Sequence, residues 1–222
     1  MSTAETTRGG NRFAVKGGVL ACAAALAVLL ALPAIGQART KFGSDLRNND
    51  GTVTQPTDQR NCQQDANALD ASQSCDRVAV QFLDTGAAAN HIKAPKDGVI
   101  NKLKLVALHK GAFRFELARV KNFHGGDNGK AKIVDRGKRI NYDSSAHGQS
   151  YTIQSFKVHD HVKKGDYLSI KSRRTSLLKC NSGSTEQLLF QPVLPVGGSF
   201  VNNNGHRSNC TLLLEALYRK HH

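Results

Sequence analysis

The sequence predicts an all-β protein: an antiparallel, jelly-roll-like β-sandwich of about eight or nine short strands, closed by two disulfides. Three observations lead there. Short runs that alternate apolar and polar residues recur from Val78 to Arg219, separated by Gly, Asn and Asp. No segment carries a convincing helical period. Four cysteines follow the N-terminal apolar run, an even number suited to two bridges.

The N-terminus reads as an export signal. Arg8, Arg12 and Lys16 precede the uncharged run Gly17 to Gly36, and Gly36-Gln37-Ala38 places small residues where a signal peptidase reads. Residues 1–38 are therefore expected to be a signal peptide, and the location secreted or extracellular. The alternative is an uncleaved membrane anchor, because the run is long enough to span at ~20 residues. Cleavage leaves no stable membrane span. Cys22 does not suit a lipid anchor, since most of the apolar run lies after it.

Residues 39–61 are polar and rich in Asn, Asp, Thr and Gly, and are expected to be a flexible leader. Residues 62–222 are expected to form the sandwich domain. Cys62 and Cys75, then Cys180 and Cys210, are the nearest pairs in sequence, and Cys62–Cys75 with Cys180–Cys210 is the preferred connectivity. No C-x-x-C favours zinc instead. The segment "DANALDA" suggests a short helical turn inside the first loop.

The strands follow in order. "VAVQFLD" opens the domain. In "GVINKLKLVAL", Val99, Leu103 and Leu105 should face inward, with Lys102 and Lys104 outward. "AFRFELARV" repeats the scheme, with Phe113, Phe115 and Leu117 inward and Arg114 and Glu116 outward; "HKG" between them has hairpin length. "FHGGDNGK" is a glycine-rich loop. "AKIVD" and "KRINY" read as two short strands. "SYTIQSFKV" and "DYLSIKS" flank a turn at "HDHVKKG", and "EQLLFQPVL" ends at Pro192. "TLLLEALYR" has helix propensity, but its shortness and its place after Cys210 favour a buried final strand.

Two turn motifs, "APKDGVI" and "VKKGDYL", resemble pieces of biotinyl and lipoyl carriers and of efflux-pump adaptors. A carrier needs a modified lysine in a Met-Lys-Met-like turn, and the only methionine is Met1. An adaptor needs a long helical hairpin between the half-motifs, where strands and glycine loops stand. The order "AP-x-DGVI", "FRFELARV", Gly-rich loop, "YTIQSFKV", "VKKGDYLSI" and "LLLEALYR" resembles instead a group of uncharacterised secreted single-domain β-sandwich proteins common in high-GC Gram-positive bacteria. That resemblance covers about residues 78–219 and implies fold and export; it carries no activity.

Charge suggests a partner. The full chain has a net charge of +14, and from Arg39 onward it holds 28 Lys and Arg against 16 Asp and Glu, a net +12. Such a surface attracts polyanions. Lys102, Lys104 and Arg114 are expected on neighbouring strands as one patch. Lys130, Lys132, Arg136, Lys138 and Arg139 extend it as further polyanion-binding candidates. The alternative is a solvated basic face. His159 and His161, two residues apart, are weak metal candidates with no third ligand in view. Asp127 and Asn128 in the glycine loop lack the carboxylates of a calcium loop. No nucleophile elbow or glycosidase pair stands out, and all four cysteines are assigned to bridges. No motif for sequence-specific nucleic acid is present. The expectation is thus a non-catalytic exported protein without cofactor, binding an anionic polymer or glycan; an extracellular hydrolase or a purely structural envelope protein are the alternatives. Oligomeric state is unknown from the sequence.

Overall fold

The computed structural model describes residues 40–81, 92–180 and 185–220. The expected signal segment, Cys22, the tail of "VAVQFLD" after Gln81, and His221–His222 lie outside them. In chain order the elements are β1 (Thr40–Gly43), β2 (Asp58–Asn61), the single-turn α1 (Cys62–Asp65), β3 (Cys75–Ala79), β4 (Gly98–Leu105), β5 (Gly111–Lys121) and β6 (Lys130–Tyr142). There follow β7 (Ala146–His147), β8 (Ser150–Tyr151), β9 (Gln154–Val162), β10 (Tyr167–Ser172), β11 (Arg174–Cys180) and β12 (Gln187–Phe190). The last are β13 (Val201–Asn202), β14 (Arg207–Ser208), β15 (Cys210–Leu212) and β16 (Leu214–Lys220). Eight of the described strands have five residues or more. The fold is all-β and sandwich-like, as the alternation predicts. Among the described residues no helix is long and apolar enough to cross a membrane.

Every named strand pair is antiparallel. A four-stranded sheet runs β1-β16-β4-β9, and a seven-stranded sheet runs β13-β6-β5-β10-β3-β12-β14. Between them lies the main core, with Phe42, Ile100, Leu103, Leu105 and Tyr218 from the smaller sheet meeting Phe113, Phe115, Leu117, Leu168 and Ile170 from the larger. Each such side chain, fully removed from water, contributes roughly 1.5–3 kcal/mol. A second cluster on the other face of the large sheet (Val78, Ala118, Ile133, Leu188, Phe190) is covered in part by Leu194. A three-stranded sheet, β15-β11-β2, carries the second disulfide.

Both bridges join the cysteines that are nearest in sequence. Cys62–Cys75 closes the loop holding α1, and Cys180–Cys210 joins residues directly opposite on β11 and β15. In the chain-entropy account each contributes about 3 kcal/mol by constraining the unfolded chain. The helical turn falls at Cys62–Asp65 rather than at "DANALDA", because Asn61 and Gln64 form a reciprocal capping box there.

Four expectations need correction. Residues 40–61 are not a leader outside the domain: β1 pairs with β16, Phe42 and Thr54 are fully buried, and β2 pairs with β11. A polar composition hid one buried aromatic on a paired strand. In β4 an extra residue, Asn101, opposite Leu217–Tyr218 of β16 shifts the alternation, so Ile100 is inward and Val99 is not. "AKIVD" and "KRINY" are one thirteen-residue strand, β6, whose pairing with β5 is interrupted by two irregularities. Gly137 belongs to it: a Cβ there would lie 2.5 Å from Asp160 Oδ1 on β9, so a larger residue would displace the Asp160 side chain. Finally, "HKG" is no hairpin, because β4 and β5 belong to different sheets.

Candidate functional site

The face of the large sheet turned away from the main core carries the charge. Strand register there places Arg139 of β6 opposite Arg114 of β5, and Arg114 opposite Lys171 of β10. Three like charges on adjacent strands repel one another unless something anionic intervenes. One irregularity, between the Arg114–Arg139 and Glu116–Arg136 pairs, adds a residue to β6, so that Arg136 and Arg139, three apart, both fall on the same face as Glu116 and Arg114.

The row opens into a cleft of about 480 Å³ where β5 begins and β10 ends. Lys110, Arg173 and Arg174 join Arg114, Arg139 and Lys171 in lining it, with Gln59, Ser74 and Ser172 as hydroxyl and amide neighbours. Lys110, Arg114, Arg139, Arg173 and Arg174 are exposed. No carboxylate lines the cleft, and none of the six cations forms a salt bridge among the described residues. The aromatic walls, Phe113 and Tyr142, are buried in the main core. The cleft thus offers point charges and guanidinium forks, which suit sulfate or phosphate oxygens, and no open ring face for a sugar or base to stack on.

Beside the row, on the same face, lies a buried acidic pair. Lys171 stands directly opposite Asp76 of β3. Asp76 and Glu116 are completely buried, flank Ser169 of β10, and come close enough to share a proton, Asp76 Oδ1 and Glu116 Oε2 having no other partner. Arg136 Nε donates to Glu116 Oε1 at 2.5 Å, and its Nη2 donates to the Leu194 carbonyl at 2.9 Å. The Leu194 N–H donates to Asp76 Oδ2 at 2.6 Å. Burial pushes both carboxyls upward; the neighbouring Asp76 charge adds to the rise of Glu116, which reaches about 8. The Leu194 N–H and the bond from Glu116 hold Asp76 lower, at about 6.

The remaining predicted residues are dispersed. Lys102 and Lys104 lie on β4 in the four-stranded sheet, so they do not join Arg114 in one patch: the sandwich core separates them. Lys104 reaches Glu215 at 3.5 Å, and Lys102 stands opposite Lys157 of β9. Arg136 is committed to Glu116. Lys138 donates to the Lys157 carbonyl. Lys132 packs over the Phe200 ring with Lys121, and Lys130 is exposed at the start of β6. Only Arg114 and Arg139 of the predicted set line the cleft. Lys110, Lys171, Arg173 and Arg174 were missed, although "KSRR" at 171–174 is a compact basic signal.

His159 and His161 share a face of β9 with ring centroids 5.8 Å apart. They belong to a strand rather than to the predicted turn, and no group of three or more potential metal ligands gathers among the described residues. Asp127 of the glycine loop pairs with Arg207 at 2.7 Å. No family model, curated protein or solved structure matches this chain.

Proposed function

We propose that this chain is an exported, non-catalytic β-sandwich that binds a sulfate- or phosphate-bearing polymer through the cleft between Lys110 and Arg174. The observation that carries the reading is the row Arg139–Arg114–Lys171, three neighbouring cations in the wall of a cleft that no carboxylate lines. An anion lying along the row removes mutual repulsion as well as adding its own attraction. Export is supported by the signal-like N-terminus and by two disulfides, which persist in oxidising surroundings. The resemblance to secreted sandwich proteins of high-GC Gram-positive bacteria agrees with that location. An anionic polymer is favoured over a neutral glycan because the aromatic rings at the cleft are turned into the core. The hydrolase alternative gains nothing from Asp76 and Glu116, since both are fully buried and neither lines the cleft.

The test is retention on immobilised dextran sulfate, polyphosphate and unmodified dextran. The two charged matrices should retain the protein and release it as salt rises, because exposed charges are screened over ~10 Å at 0.1 M. Equal retention on unmodified dextran, or none on either charged matrix at low salt, would overturn the reading.

A further inference from the structure

We propose that Asp76 and Glu116 form a proton-binding site coupled to the cleft, so that an anion bound there is accompanied by uptake of a proton from solvent. The inference rests on the reading of the cleft as an anion site and adds a control to it. Three observations carry it. The first is polar accounting. Asp76 Oδ2 and Glu116 Oε1 have donors, from Leu194 and Arg136, whereas Asp76 Oδ1 and Glu116 Oε2 are buried without one. A single proton between those two oxygens satisfies both, and leaving both bare would cost far more than an ordinary unmade bond.

The second is position. Asp76 and Lys171 are cross-strand neighbours on one face, and Lys171 is itself a wall of the cleft. Lys171 therefore sees the buried pair on one side and any bound anion on the other. When the pair loses its proton, the extra negative charge neutralises Lys171 from the neighbouring strand and competes with the anion. When the anion binds, it disfavours that loss. The coupling is reciprocal by linkage.

The third is enclosure. The groups facing the pair are Lys171 and Ser169 from β10, Arg136 from β6, the Leu194 N–H from the covering segment, and the apolar Phe190 and Leu188 opposite β3 on β12. Arg136 is already bound to Glu116 and Leu194, which leaves Lys171 as the cation shared with the cleft. The raised carboxyls place the exchange near neutral pH, between about 6 and about 8. The other titratable group beside the cleft is His109, exposed and adjacent in sequence to Lys110. It is the rival source of any proton effect.

The deciding experiment uses sucrose octasulfate, whose sulfate esters stay fully ionised across the range, in calorimetric titrations in two buffers of different ionisation enthalpy. Near neutral pH the unaltered protein should take up a fraction of a proton per ligand, and its affinity should fall about three- to tenfold between about pH 5.5 and about pH 8.5. Glu116→Gln keeps a donor for Asp76 but cannot ionise, so uptake and pH dependence should largely vanish. Asp76→Asn should do the same and serves if the first variant does not fold. His109→Asn should change neither. Binding without proton uptake, or uptake abolished by His109→Asn and retained in Glu116→Gln, overturns the coupling while leaving the anion site standing. No binding at about pH 5.5 in low salt removes the anion site, and the coupling with it.

Discussion

Arg77 and Arg114 stand on the same sheet with one strand between them, and they face opposite ways. Arg77, on β3, is fully buried with Asp65 of α1, which is also sealed from solvent, and donates to the Asn61 carbonyl at 2.9 Å. Asp65 in turn accepts from the Ser208 hydroxyl at 2.7 Å and pairs with Arg60. Arg114, on β5, is exposed beside Arg139 and Lys171 and has no carboxylate partner among the described residues. The same guanidinium serves two ends. Where it is buried, the chain supplies the counter-charge, and the pair anchors the disulfide loop to the sheet. Where it is exposed in company, the counter-charge is left to come from outside.

The contrast can be broken most forcefully at the buried end. Arg77→Met leaves Asp65 as a buried carboxylate with weaker support, and should lower unfolding stability by about 3–5 kcal/mol. Chemical denaturation of the two proteins would measure it. A loss below about 1 kcal/mol would mean that the pair is incidental.

The acidic pair gives the next largest effect, and its sign follows from its direction. The carboxyls bind protons more tightly folded than unfolded, so their stabilising contribution is complete below the ordinary carboxylate range. It is lost as pH rises through the raised values, Asp76 near 6 and Glu116 near 8. The unaltered protein should therefore lose up to a few kcal/mol between about pH 4.5 and about pH 8.5, and Glu116→Gln should flatten much of that decline. Melting temperatures across that range check it, and parallel curves for the two proteins would place the titration elsewhere.

At the exposed end, Arg114→Gln, Arg139→Gln and Lys171→Gln together should weaken binding of dextran sulfate tenfold or more at low salt. Stability should be unchanged or rise by about 0.5 kcal/mol, because directly opposed like charges are removed. Binding that survives the triple change in folded protein would return the row to a solvated basic face.

The smallest effect sharpens the geography. Lys102→Gln with Lys104→Gln alters the far sheet, where Lys104 is already partnered by Glu215. Binding should change less than about twofold, apart from a modest loss of general attraction.

Much of the frame was legible in the residues alone. Alternation in "GVINKLKL" and "FRFELARV" marked two core strands, and the nearest-neighbour cysteines marked both bridges. Period-two patterning and loop closure are local matters, and a linear chain displays them. The basic character from Lys102 to Arg139 was equally plain. Which cations share a surface was not. Lys104 and Arg114 are ten residues apart yet belong to different sheets, while Arg114 and Lys171 are far apart in sequence and adjacent in space. Nor does any local pattern unite Asp76 with Glu116, which meet only because β10 inserts between β3 and β5. Sequence determines the strand and, until a bulge intervenes, the face. Strand neighbours are chosen by non-local packing of the whole core, and only that choice assembles the cleft and the acid pair beside it.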